Sequence, residues 1–246
     1  MPIAVTRSVG GSEEIGRAAY DGTFPRVGDA LTLYVGRRLA FTPVRWAIGA
    51  GFPAAAAIAA EALLAALVFA CFWHGYYWLG LLLSVAVMLA SVTALMLSRL
   101  THATPATSRL RSAVELLYPL LWWWGWEHGL AAYGRPFEPI YATMVLWVVV
   151  GGTIAIQVVE AIAMHRANGM ELHAWRPIDS RVRLLSASRN SNLAILALAL
   201  LFRRPDSGFV LVAWSTLISL IFHSVRLAQL TEQQSRRLQI KSWLDR

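Results

Sequence analysis

Residues 47–73 read AIGAGFPAAAAIAAEALLAALVFACFW, an apolar stretch interrupted by one carboxylate, Glu61. A helix at the surface of a soluble domain carries an apolar stripe and a polar face, whereas this run is apolar on every side. It exceeds the roughly 20 residues that cross a hydrocarbon core of about 30 Å. Five further runs share the pattern: Tyr76 to Leu97, Ala113 to Tyr133, Pro139 to Met164, Leu184 to Phe202 and Phe209 to Leu230. The fifth is weakened by Arg189, Asn190 and Asn192, and the fourth is interrupted by Gly151 and Gly152. Short turns at His74 and Gly75, Gly134 to Glu138 and Arg203 to Gly208 join the runs into hairpins. The fold class that follows is all-α, a polytopic membrane protein of about six transmembrane helices in residues 47–230.

Composition agrees. Hydrophobic residues make up 57% of the 246 and charged residues 15%, against about 25% charged in soluble domains. The net charge of +8 is compatible with nucleic acid, an anionic leaflet or an anionic ligand, and its placement decides between them. Nineteen Arg and Lys fall on the side of the termini, and only Arg135, Arg203 and Arg204 on the other. The positive-inside rule then places both termini in the cytoplasm. The basic residues form a collar beside anionic headgroups, which leaves nucleic acid out of the partner set. Trp122, Trp123, Trp124 and Trp126 lie in an apolar run and fit helix packing or interfacial anchoring better than base stacking. Cys71 is the single cysteine, so no internal disulfide forms; nothing in its surroundings has metal-ligand spacing, and no metal ligand is assigned.

Residues 1–27 are polar and mixed in charge, without the pattern of a cleavable signal peptide. Residues 28–46 set Leu31, Leu33, Tyr34, Val35, Leu39 and Phe41 against Arg37, Arg38 and Arg45, with Pro43 closing the pattern. This predicts an amphipathic helix, lying on the inner leaflet or packed on the ends of the bundle. Residues 231–246 form a basic cytoplasmic tail.

Ionisable groups within apolar runs are costly and point inward or into a wet cavity. Glu61, Glu115, Glu127 and Glu160 are such groups. Glu61 reads slightly better as a packing residue than as a site, Glu127 with His128 as an interfacial pair, and Glu115 and Glu160 equally well as either. The segment from Arg166 to Asn192, RANGMELHAWRPIDSRVRLLSASRNSN, gathers His173, Trp175, Arg176, Asp179, Arg181, Arg183, Arg189 and Asn190. Arginine forks suit phosphate, so an anionic headgroup or nucleotide phosphate is the expected ligand. The alternative is a loop stapled by its own ion pairs, such as Asp179 with a neighbouring Arg.

The same residues carry a resemblance. Glu160, His173, Trp175, Arg176, Pro177, Asp179, Arg181, Arg183, Arg189, Asn190 and Asn192, followed by the Arg204 to Gly208 turn and Phe222, His223 and Arg226, resemble the C-terminal half of a bacterial branch of the CDP-alcohol phosphatidyltransferases. Tyr118, Pro119, the tryptophans, His128, Gly129 and Leu130 are similar to that branch's third span. The resemblance implies a bacterial inner-membrane protein of phospholipid synthesis, a CDP-linked lipid as substrate, and a homodimer or a heteromer with an active homologue. It also implies Mg²⁺ or Mn²⁺, held by the aspartates of Asp-Gly-x-x-Ala-Arg, eight residues, Gly, three residues, Asp, three residues, Asp.

Those aspartates are missing. Anchoring the signature on Ser98 and Arg99 puts Ala94 and Leu95 at Asp-Gly, Ser108 at the later Gly, and Ser112 and Leu116 at the last two aspartates. Anchoring on Pro119 puts Arg111 and Glu115 at the last two. Glu115 is then the one catalytic candidate, with Arg99 beside Glu160 and the loop residues as substrate contacts. One carboxylate does not build a two-cation site. The expectation is therefore a family-like membrane protein with a degenerate metal site, acting as a non-catalytic partner or as a binder of anionic lipid or nucleotide. An active transferase borrowing ligands from a partner chain is the first alternative, and a small transporter or scaffold the second.

Overall fold

The computed structural model describes residues 9–167, 169–236 and 242–243, with side chains from residue 14 onward except that of residue 185. These residues are helical with no strand. The helices are α1 (Val9–Thr23), α2 (Arg37–Leu39), α3 (Phe41–Gly49), α4 (Ala54–Trp73), α5 (Tyr77–Leu100), α6 (Pro105–Ala132), α7 (Pro139–Arg166), α8 (Pro177–Leu185), α9 (Arg189–Leu201) and α10 (Pro205–Ser235). Pro105, Pro139, Pro177 and Pro205 each open a helix, where the missing N–H is one that no helix satisfies.

Five stretches are long and apolar enough to cross a membrane: Ala54–Trp73, Tyr77–Leu100, Pro139–Arg166, Pro177–Leu201 and Pro205–Ser235. Between 28% and 56% of the residues in the apolar 18-residue core of each are buried inside the bundle, and the outward faces carry residues such as Leu63, Leu82, Trp147, Leu201 and Ile218, each more than 60% exposed. An apolar exterior of this extent marks a multi-pass membrane protein. The run Ala113 to Tyr133 lies in α6, which is 28 residues long but is not among the five; its tryptophans, Glu115, Glu127 and His128 lower its hydropathy. The run expected from Leu184 is broken at residues 186–188, where Ser188 caps α9. α9 has 13 residues, about 20 Å of helix.

Packing explains why α4, α6, α7 and α10 lie close. A Cβ on Gly129 of α6 would strike the Phe72 carbonyl of α4, and one on Gly152 of α7 would come within 2.6 Å of Thr216 of α10. Trp122, Trp123 and Trp126 are fully buried beside Phe72 and Tyr77. Their polar atoms find partners: Trp122 Nε1 donates to Ala65 O at 2.8 Å, and Tyr77 Oη to Trp126 O at 2.8 Å. Trp124 stays half exposed.

The N-terminal part differs from its expected form. Within residues 1–27, α1 docks through Tyr20 and Phe24, which pack on Phe41, Val92 and Met96. Residues 28–46 are not one helix: a π-helical stretch at Leu31–Gly36 precedes α2 and α3. Pro43 falls in the first turn of α3, where its lack of an N–H costs nothing, so it does not end the pattern. At the other terminus α10 runs to Ser235, and of the expected tail residues 237–241 and 244–246 lie outside the described residues.

Candidate functional site

Among the described residues, two clusters of polar side chains from several helices meet within the bundle. The first is assembled by α4, α5, α6 and α9. Glu61, buried on α4, accepts a hydrogen bond from Tyr118 Oη at 3.1 Å. Glu115 on α6 pairs with Arg111 one turn earlier at 2.6 Å and accepts from Ser91 Oγ of α5 at 3.0 Å. Arg189, at the start of α9, lies over the Tyr118 ring at 5.1 Å, in the field of Glu61, Glu115 and Asp29. Its Nε donates to Asn190 Oδ1 at 3.0 Å. Asn190 Nδ2 donates in turn to Thr32 Oγ1 at 2.9 Å and reaches Asp29 at 3.2 and 3.3 Å, which ties the N-terminal segment to α9. Most of the charges and donors in this group are matched to one another; the second oxygen of Glu61 is buried without a hydrogen-bond partner among the described residues.

The Mg²⁺ or Mn²⁺ implied by the resemblance does not fit these residues. Glu115 is already neutralised by Arg111, Ser112 Oγ donates to its own helix at Ser108 O, Leu116 points outward and Ala94 is buried in apolar packing. In the register set by Pro119, the Arg111 guanidinium stands where one of the carboxylates is expected.

The second group lies where α7 and α10 meet the connection between α7 and α8. Glu160 Oε1 is 3.0 Å from His173 Nε2 and 3.1 Å from His223 Nε2, and the two imidazole nitrogens are 3.1 Å apart. Both histidines are buried, while the Glu160 side chain is 30% exposed. His223 Nδ1 is 2.6 Å from Ser219 O; a carbonyl only accepts, so Nδ1 carries a proton, and in the neutral ring Nε2 then presents its lone pair to Glu160. Arg183 reaches the same Oε1 at 3.3 Å. His173 Nδ1 is buried and has no hydrogen-bond partner among the described residues. Burial draws the His173 pKa below its ordinary value, favouring the neutral ring.

The remaining expected contacts are dispersed. Asp179 is fully buried against Arg226 of α10 at 2.6 Å, an ion pair angled off a hydrogen-bond axis, and accepts from the Arg176 backbone N–H at 3.1 Å as part of the α8 capping box. Its partner is thus on α10, 47 residues on, and not a neighbour in the loop. Arg176 lies over Trp175 at 4.4 Å. Arg99 donates to Thr23 O at 2.8 Å, joining α5 to the end of α1, away from both groups. Arg181 is exposed and lines an apolar groove of about 940 Å³ between α8, α9 and α10, with Ile195, Leu198, Trp214, Ile218 and Phe222.

Sequence reading did not assign His223 a role beyond the resemblance, nor join Glu160 to the histidines as ligands. Separations of 13, 50 and 63 residues have no short-motif signature. The available signal was one carboxylate and one histidine, Glu160 and His223, each near the C-terminal end of its apolar run, with His173 in the loop that follows Glu160. No protein-family model matches the chain, and no curated protein does.

Proposed function

We propose that the protein is a non-catalytic, CDP-alcohol phosphatidyltransferase-like membrane protein that holds an anionic phospholipid. The observation that carries this reading is the first polar group: Arg111 and Arg189 supply its positive charge, so it needs no metal ion and has no free carboxylate pair with which to bind one. The groove supports the lipid: an acyl chain runs along its apolar wall while a headgroup phosphate meets Arg181. On this reading six spans, α4 to α7, α9 and α10, cross a bacterial inner membrane with both termini cytoplasmic. The length of α6, about 42 Å, and the uneven Arg distribution support that layout. The N-terminal segment up to α3 rests on the inner leaflet, with Tyr34, Leu39 and Trp46 exposed toward it. A homodimer, or a heteromer with an active homologue, is the assembly in which such a chain serves lipid synthesis.

The test uses the purified chain in nanodiscs containing phosphatidylglycerol and phosphatidylcholine. Native mass spectrometry is expected to find phosphatidylglycerol retained preferentially, with retention falling about tenfold in Arg181→Ala, since one charge-assisted contact is worth about 1.5 kcal/mol or more. EDTA should leave that retention unchanged, because a guanidinium keeps its charge. Magnesium-dependent CMP release from CDP-diacylglycerol by the chain alone would overturn the non-catalytic reading. Equal retention of both lipids would overturn the binding one.

A further inference from the structure

We infer that Glu160, His173 and His223 form a binding site for one divalent first-row transition-metal ion, independent of the lipid reading and of the vacant aspartate positions. The geometry is the first argument. Ligand atoms about 2.1 to 2.2 Å from a metal and about 90° apart are separated by about 3.0 to 3.1 Å, whereas tetrahedral ligands at about 2.1 Å are separated by about 3.4 Å. The three separations here are 3.0, 3.1 and 3.1 Å. They outline one face of an octahedron, the arrangement of two histidines and one carboxylate that leaves three positions open.

Electrostatics is the second argument. With its proton on Nδ1, the neutral form of His223 presents a lone pair to the carboxylate oxygen and to the other imidazole. The His173 ring has one proton to offer in its neutral form, so at least two of the three atoms confront each other as acceptors. Such a convergence is repulsive unless a proton or a metal ion lies between the acceptors, and a single metal ion at the centre relieves all three contacts at once. Orientation is supplied from outside the triad: Ser219 O fixes the tautomer of His223, and Arg183 holds the carboxylate. The His173 backbone is held as well, since Ser180 Oγ of α8 donates to its carbonyl at 2.7 Å.

The ligand set is mixed nitrogen and oxygen without sulfur, which suits Mn²⁺, Fe²⁺, Co²⁺ or Ni²⁺ in six-coordination rather than tetrahedral Zn²⁺ or a hard ion held by oxygen alone. The exposed side of Glu160 lets solvent reach the open positions. An anionic oxygen ligand placed there meets the metal and the Arg183 guanidinium together, so a carboxylate or phosphate is the class of molecule such a centre takes.

The experiment uses the full chain in detergent, tag removed and stripped with EDTA, titrated with Co²⁺ alone. One ion per chain is expected, with the weak visible absorption of six-coordinate cobalt. His173→Ala, His223→Ala and Glu160→Gln should each abolish saturable binding at about 100 times the wild-type Kd. His102→Ala and His165→Ala, which remove exposed histidines outside the triad, should bind as the parent chain does. Glu160→Gln keeps the size of the side chain, so it remains informative if an alanine variant fails to fold. Absence of stoichiometric binding, or binding unchanged by Glu160→Gln and either histidine variant, would overturn the proposal; a buried imidazolium clamping Glu160 predicts that outcome.

Discussion

The group around Arg189 and the group around Glu160 contain similar inventories of carboxylate, arginine and hydrogen-bonding side chain, yet their polar atoms are disposed in opposite ways. Around Arg189 the cations face anions: Arg111 on Glu115, Arg189 among Glu61, Glu115 and Asp29, and Asn190 donating to Asp29 and Thr32. Around Glu160 one carboxylate oxygen and two imidazole nitrogens face one another at 3.0 to 3.1 Å, at least two of them as acceptors when the rings are neutral. The difference teaches that charge in an apolar bundle is not by itself a site. A group closed on its own counter-charges holds helices together, and a group whose lone pairs converge asks for something else to bind.

Four measurements sharpen that contrast. Removing the central cation from the closed group should have the largest effect: Arg189→Ala leaves the buried Glu61 carboxylate without its guanidinium neighbour and is expected to cost about 3–5 kcal/mol in detergent unfolding. A loss below about 1 kcal/mol would mean that the group is not closed through Arg189. Adding a cation to the convergent group comes next. Co²⁺ at about 100 times its Kd should stabilise the wild-type chain by about 2.7 kcal/mol and the His223→Ala variant not at all. Stabilisation of both alike would place the ion elsewhere.

A smaller effect is expected at Glu61. Glu61→Gln keeps the acceptor for Tyr118 while removing the ionisable group, and should change stability by less than about 1 kcal/mol. A large loss would show that the Glu61 charge is needed to hold Arg189. The smallest belongs to Arg111 and Glu115, whose side chains are 19% and 32% exposed. A double-mutant cycle should return about 0.5 kcal/mol of coupling, and several times that value would mark the pair as part of the buried core.

Much of the architecture was legible because hydropathy is a local property. The stretches around Glu61, Gly80, Gly152 and Thr216 announce themselves by composition, and their turns by Gly and Pro. The N-terminal part was less legible for the same reason: α1 is held by two aromatic residues, Tyr20 and Phe24, meeting a pocket made by α3 and α5, and a polar stretch with two aromatics has no distinctive average. Pro43 looked like a stop because a proline ends a helix from inside but opens one from its first turn. The arginine-rich loop was legible as a dense cluster, but pairing Asp179 with Arg226 and bringing His223 to Glu160 depend on how α7 lies against α10. No spacing rule carries that information. Chemistry that depends on tertiary contact was therefore visible as candidate residues and not as a constellation.

The length of α9 has a consequence for the surrounding lipid. As a membrane crossing, its 13 residues match about 20 Å of hydrocarbon against the usual thickness of about 30 Å. Neighbouring acyl chains must compress beside it, bending the leaflet toward the Ser188 cap, while the longer helices α7 and α10 resist the same deformation by tilting. On the proposed six-span layout the protein presents an uneven belt to its membrane, thin on one flank and thick on the other. Bilayers of short-chain lipid relieve the mismatch at α9, and the mismatch costs fractions of a kcal/mol per ångström; chain length in the host membrane then becomes a quantity to which this fold is tuned.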